Sequence, residues 1–287
     1  MKVSIIGAGR VGATAAFLLI ERGLCEELVI VDVNRDKAVG EAMDLKHGSA
    51  AQKRVRVIGT DNYALVKNSN ITVITAGIPR KSDESRLDLA KKNAELIKEI
   101  TRNVVAHTSG MILVVSNPVD LMTYLAVKES GLNERKIFGL GTMLDTLRFK
   151  SILTDLYLDS DDVYIIGEHG DSMVPVLSGV KDIDMDKYLN LIEGVRRVAA
   201  DVIRLKGATF YAPAVAIVEV VEAIVKDKKQ TMPISVYHDE YDICISNLVS
   251  VGCDGIRRAD IRLSTDEKER FLKSARIIEK EIKKLKD

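Results

Sequence analysis

His169 closes an apolar run, "DVYIIGEHGDS" at positions 162–172, between two glycines and two acids, a setting none of the other three histidines has. An imidazole titrates near neutrality, and glycines on both sides let backbone or a ligand come close to the ring. Taken alone, the run is equally a strand followed by a polar turn. A second group lies at the other end of the chain. "GAGRVG" puts Gly7, Gly9 and Gly12 directly after "VSII" and at the head of an apolar helical stretch. The first glycine would make a tight turn, the second would let backbone approach a pyrophosphate, and the third would let helix and strand pack closely. Ala8, Arg10 and Val11 fill the intervening places on the same phosphate-facing turn, and the helix N-terminus favours the phosphate charge. Asp32 ends "LVIVD", where its carboxylate can accept hydrogen bonds from ribose hydroxyls; a 2′-phosphate there would meet like charge. The expected cofactor is therefore NAD rather than NADP, with Arg35 a softening influence.

These residues need elements to hold them. The first half alternates apolar runs ("KVSIIGAG", "ELVIVDV", "ITVITAG", "MILVVSN") with helical patterns ("VGATAAFLLIERG", "KAVGEAMDLKHGSA", "RLDLAKKNAELIKEITRNVVAHT", "VDLMTYLAVKESG"). That is the pattern of a parallel sheet covered on both faces, a doubly wound α/β domain over residues 1–141. From 142 to 287 the pattern changes to α+β. A helix "LDTLRFKSILTDLY" leads to short strands around "VYIIGEHG" and then to helices holding "VRRVAADVIRLKG" and "GATFYAPAVAIVEVVEAIVKD". A strand-rich stretch from "ISVYHDEYDICISNLVSVG" onward precedes a charged final helix. No repeat or low-complexity linker separates the halves, so they should pack closely.

Composition limits the function classes. An apolar fraction of 46% over 287 residues supports a substantial core, and 42 basic against 42 acidic residues give no net charge to recruit nucleic acid or an anionic membrane. No apolar run is long enough to cross a bilayer, and the first residues reach glycines too early for a signal sequence, so a cytoplasmic protein is expected. Cys25, Cys244 and Cys253 are scattered and form neither a disulfide framework nor a zinc cluster; no metal is expected.

Eight motifs then occur in a recognisable order: "GAGRVG", "VDV", "TAGIPR", "SRLDL", "VVSNPVD", "GTMLDTLRF", "IIGEHGDS" and "KGATFYAPA". With them the chain resembles the lactate and malate dehydrogenase family over nearly its whole length. The resemblance implies that His169 exchanges a proton with the substrate hydroxyl while a hydride moves to the nicotinamide. It assigns Asp145 to the other ring nitrogen, where a carboxylate fixes the tautomer and stabilises the imidazolium. Arg148, one helical turn past Asp145, carries a planar fork suited to a substrate carboxylate. Without the surrounding motifs the pair would read as a surface ion pair. Arg86 matches an arginine on a mobile loop that polarises the substrate carbonyl as charge develops. Asn117 ends the fourth apolar strand at the ligand edge of the sheet; its amide would bond the substrate oxygen, while Val115 and Ser116 approach the cofactor with their backbone. Asn93 is a further cofactor candidate and Thr209 a further substrate candidate.

Arg80 occupies the place where the resemblance puts the reader of the substrate side chain: glutamine in lactate enzymes, arginine in malate enzymes. An arginine would pair with the second carboxylate of oxaloacetate and be left unpaired against pyruvate. The loop departs from the malate pattern at Ser82, Asp83 and Glu84, where a Pro-Gly-Met run is common. Arg80 favours an NAD-dependent malate dehydrogenase acting on a small dicarboxylate. The alternatives are an L-lactate or relaxed 2-hydroxyacid dehydrogenase and, from another class, an NADH sensor without turnover. A sensor has no use for the proton acceptor His169. The resemblance is to the lactate-like branch of malate dehydrogenases, which implies a homotetramer, with "AVGEAMDLKHGSA" and "ATFYAPAVAIVEVVEAIV" as contact helices. A segment shorter than usual for the family, between "GVKD" and "VRRV", would alter those contacts.

Overall fold

Six short runs rich in β-branched residues form parallel strands: β1 (Lys2–Ile6), β2 (Glu27–Val31), β3 (Arg56–Thr60), β4 (Ile71–Ile74), β5 (Met111–Val114) and β6 (Ile137–Gly139). The computed structural model describes residues 1–51, 55–78, 86–158, 162–177, 185–259 and 263–286. Helices α1 (Arg10–Glu21), α2 (Arg35–Ser49), α3 (Arg86–Val105) and α4 (Val119–Ser130) lie between successive strands, with one short turn of helix joining β3 to β4. The strands run side by side in the order β3-β2-β1-β4-β5-β6. Winding reverses between β1 and β4, and outside that switch point such sheets hold their ligands. Helices on both faces explain why neighbouring residues of β1 are both buried. Ile5 packs with Ala15, Ala16 and Leu19 of α1, whereas Ile6 packs on the opposite side with Ile97 and Ile100 of α3.

The second half contributes α5 (Met143–Asp155), β7 (Tyr164–Ile166), β8 (Val174–Val176), α6 (Met185–Lys206), α7 (Tyr211–Val225), β9 (Gln230–His238), β10 (Ile243–Gly252), β11 (Gly255–Arg258) and α8 (Thr265–Lys286). β7 and β8 pair as a small separate ribbon. A third core joins that ribbon to α5 and α6: Phe149, Leu153, Val163, Ile165, Met173, Leu177, Ile192 and Val195. Each large side chain buried there contributes about 1.5–3 kcal/mol, which keeps α6 fixed beside the ribbon.

β9, β10 and β11 do not form a sheet of their own. β9 runs antiparallel to β6 through the single pair Gly139–Ser235, so the parallel sheet continues into nine strands. The physical reason is the edge: β6 is fully buried, and without β9 its unpaired backbone would be an open template. Sequence patterning also passes over β3 and β6, and it marks α6 only by "VRRVAADVIRLKG", from Val195, whereas the helix starts at Met185. Most apolar residues of α7 are not available as a contact surface. From Pro213 to Ile224 most are buried within the chain, many packed in the core with α1, which corrects the expectation for that helix. The exposed large apolar residues include Phe17, Met43, Ile203, Leu205 and Tyr211, on α1, α2, α6 and the first residue of α7. No helix among the described residues is long and apolar enough to cross a membrane.

Candidate active site

The glycine turn after β1 has the geometry that a dinucleotide requires. Gly7 has φ +111°, and a Cβ on Gly12 would stand 2.1 Å from the Gly7 carbonyl oxygen, so neither position accepts a side chain. Around Gly9 the space is open, with nothing within 4 Å of where a Cβ would stand. No side chain caps α1 at Gly9, and its first turn has no acid. The open backbone and uncapped N–H groups fit a pyrophosphate. Asp32 follows β2; Oδ2 accepts from the Ala8 N–H at 2.7 Å and Oδ1 from the Asn34 N–H at 2.9 Å. Each oxygen keeps acceptor capacity for a ribose hydroxyl. Arg10 is exposed, its guanidinium 5.8 Å above the Phe210 ring. Gly7, Ala8, Gly9, Arg10, Gly12 and Asp32 thus gather around the turn from β1 into α1, at one end of the candidate site.

At the other end a cavity of about 560 Å³ gathers Val11, Asn93, Val115, Ser116, Asn117, Asp145, Arg148, His169 and Thr209 on its wall. Both halves of the chain supply that wall. His169 Nδ1 donates to Asp145 Oδ2 over 2.5 Å, and Arg148 Nη1 donates to Asp145 Oδ1 over 3.1 Å. Asp145 is therefore shared, and buried at 1% exposure. Burial opposes its charge, yet His169 and Arg148 together hold its carboxyl below the ordinary range. For His169, burial likewise opposes the imidazolium, but the Asp145 carboxylate overrides it and the ring is held above its ordinary pKa. With Nδ1 committed to Asp145, Nε2 is the nitrogen left to exchange a proton.

Local chemistry explains why this pair meets. Thr142 at the start of α5 donates to the Ile165 carbonyl over 2.5 Å, and the Ile165 N–H donates to Thr146 Oγ1 at 2.9 Å, so α5 is pinned along β7. Beyond β7, three successive N–H groups each reach a different element. Gly167 donates to the Ser246 carbonyl of β10 at 2.9 Å, Glu168 to Ser274 Oγ of α8 at 2.8 Å, and His169 to Asp120 Oδ2 of α4 at 2.8 Å. Gly167 has φ +87°, which turns the chain off the strand. The polar turn that the sequence alone allowed is thus a clamped segment.

Other expected residues have more structural duties than foreseen. Asn93 accepts from the Ile78 N–H at 2.8 Å, which holds the chain just before the segment containing Arg80. Ser116 donates to the Ala76 carbonyl at 2.5 Å, tying the ends of β4 and β5. Arg86 is the first residue of α3 rather than part of a loop, and its side chain lies outside the described residues. Arg80, Ser82, Asp83 and Glu84 also lie outside the described residues, as do Ile183 and Asp184 at the start of the shortened segment. Sequence reading missed Asp120, Thr142 and Thr146. Asp120 alone carried a local signal, an acid inside the apolar helical run "VDLMTYLA".

A dinucleotide crevice beside a histidine–carboxylate pair and an arginine defines a class, the nicotinamide-dependent dehydrogenases of hydroxy acids. Comparison with known proteins gives the family. A profile described as the lactate/malate dehydrogenase NAD binding domain matches residues 1–139, and the alpha/beta C-terminal domain of the same family matches residues 142–287. The chain is 42% identical to a malate dehydrogenase of Archaeoglobus fulgidus over 99% of both chains, and 40% identical to an L-lactate dehydrogenase of Clostridium perfringens over 96% of this chain and 95% of that one. The solved structure of Archaeoglobus fulgidus malate dehydrogenase in complex with NADH superposes with a TM-score of 0.95, at 40% identity and over all of both chains. The chain belongs to the lactate/malate dehydrogenase family, and its cofactor is NAD.

Proposed function

We propose that this dehydrogenase interconverts L-malate and oxaloacetate. The observation that carries the reading is Arg80, since relatives named for malate and for lactate match at nearly equal identity and do not decide between them. NAD, when bound, supplies the hydride acceptor. Around it, His169 takes the hydroxyl proton, with Asp145 fixing the ring and stabilising the imidazolium. Arg148 holds the carboxylate next to the reacting carbon, and Asn117 donates to the reacting oxygen with Thr209 beside it. Arg86 adds positive charge where the oxygen becomes anionic. Arg80 pairs with the second carboxylate. The same reading places the enzyme in the cytoplasm as a homotetramer, its contacts drawn from the exposed apolar residues of α1, α2 and α6; sedimentation showing only dimer at micromolar protein would refute the tetramer.

The deciding experiment follows NADH absorbance with oxaloacetate and with pyruvate, in wild type and in Arg80→Gln. Wild type should prefer oxaloacetate. The variant should lose roughly 10² to 10³ in kcat/KM for oxaloacetate, the scale of removing one partner of a buried ion pair, while pyruvate reduction rises. A parallel fall for both substrates would remove Arg80 as the reader, and a wild-type preference for pyruvate would make the protein a lactate dehydrogenase.

A further inference from the structure

Asp120 is 4% exposed, near the start of α4 and three residues past Asn117. Oδ2 accepts the His169 N–H at 2.8 Å, and Oδ1 accepts the Ser235 hydroxyl at 2.6 Å. Holding a backbone N–H needs only an acceptor; an asparagine or a carbonyl would do it without burying a charge. The chain nevertheless places a carboxyl there. Burial pushes that carboxyl up to about 6 while the two donors restrain it, so at neutral pH it is an anion.

The surrounding charges show what that anion does. From α5, Asp145 faces His169 and is also bonded to Arg148, whose positive charge offsets only part of its effect on the ring. Glu168 adjoins on the same segment, its carboxylate turned to the Ser172 hydroxyl. Arg196 of α6 donates to the Asp171 carbonyl. Beside Asp120, Cys244 of β10 is fully buried, its thiol pushed well up and so neutral. Among the described residues that face His169, Asp120 is left as a buried carboxyl bonded to the Ser235 hydroxyl and a backbone N–H rather than to an arginine. We infer that Asp120 is a positioning residue for proton transfer: it fixes the His169 backbone to the helix that begins two residues after Asn117, and acts with Asp145 as a second counter-charge to the imidazolium.

The inference rests on His169 as the proton-transfer group of the proposed function, and the two can fail separately. Turnover surviving in His169→Ala would overturn that group's role. The test of Asp120 is the titration of the His169 ring by NMR in cofactor-free protein, alongside the pH profile of oxo-acid reduction. In Asp120→Asn the amide oxygen can still accept from the His169 N–H and the amide nitrogen can donate to Ser235, so the bonds survive and the charge goes. The His169 midpoint should fall by about half a unit or more, and the alkaline limb of reduction should move with it. Asp120→Glu should keep the wild-type midpoint even if turnover drops. A folded Asp120→Asn with an unmoved midpoint, or Asp120→Glu shifting as far as Asp120→Asn, would overturn the inference. If Asp120→Asn does not fold, Ser235→Ala decides: loss of one donor lets Asp120 take a proton at higher pH, which should lower the His169 midpoint in the same direction, and no movement would overturn the proposal.

Discussion

Two histidines, His169 just past β7 and His238 at the end of β9, sit in enclosed surroundings of opposite character. His169 opens onto the cavity with 22% of its side chain exposed, and Asp145 meets its Nδ1. His238 is 8% exposed and lies against the rings of Tyr241 and Phe271, with centroids 6.3 and 5.9 Å away. Its Nε2 is buried without a hydrogen-bond partner among the described residues. Burial opposes the charged ring in both places. At His169 the carboxylate outweighs it and the pKa rises; at His238, burial followed by the nearby Arg258 pushes it down to about 4. The difference teaches that enclosure alone does not make a histidine an acid–base group: a buried counter-charge does.

The largest effect should come from breaking the partnered side. His169→Ala should lower kcat by on the order of 10² or more with NADH binding near normal, as expected for loss of a general acid and base. His238→Phe should leave kcat within a few-fold of wild type, because His238 is not on the cavity wall. Stopped-flow binding of NADH together with steady-state turnover measures both. Cofactor affinity lost along with turnover in His169→Ala would mean that the residue holds structure and that the contrast is wrong.

The contrast also marks what sequence could and could not deliver. Local signals gave the cofactor end: the spacing of Gly7, Gly9 and Gly12 is a property of one turn, and Asp32 ends a strand visible in its own apolar run. The chemical end joins residues far apart in the chain. Asp145 and His169 are 24 residues apart and Asp120 and His169 are 49 apart. Only family resemblance pointed to the first pair, and for the second the local pattern offered just an acid inside an apolar helical run, with no hint of its partner. The continuation of the sheet from β6 into β9 rests on one residue pair, Gly139 with Ser235, which no periodicity reveals. Short strands such as β6 fail for a related reason, since three residues are too few to show an alternation.

A smaller effect belongs to the unpartnered histidine. In the unfolded chain His238 titrates near the ordinary value of about 6.5, whereas in the folded chain it stays neutral down to about 4. Between those values the unfolded state binds more protons, so stability falls as pH falls, by about 2 kcal/mol between pH 7 and pH 5 from this residue alone. His238→Phe removes that proton site. Urea unfolding at the two pH values should show a drop smaller by about that amount in the variant, whatever the packing change does to its absolute stability. An equal drop in both proteins would mean that His238 finds a partner for its proton in the folded state.

The smallest effect, and the sharpest test of the partnered side, is a pH limb. On the proposed function, oxidation of the hydroxy acid needs His169 neutral to accept a proton, and reduction of the oxo acid needs it protonated to give one back. Because Asp145 holds the ring above its ordinary pKa, log kcat/KM for reduction should stay level past the usual histidine midpoint and then fall about tenfold per pH unit. Oxidation should show the mirror image, rising about tenfold per unit up to the same midpoint and levelling above it. Asp145→Asn takes away the counter-charge and leaves burial in command, which makes His169 resemble His238. Its residual reduction activity should therefore fall off at lower pH than in wild type. A midpoint at or below the ordinary histidine value in wild type, or one that Asp145→Asn does not move, would show that burial governs both histidines alike and that the carboxylate only orients the ring.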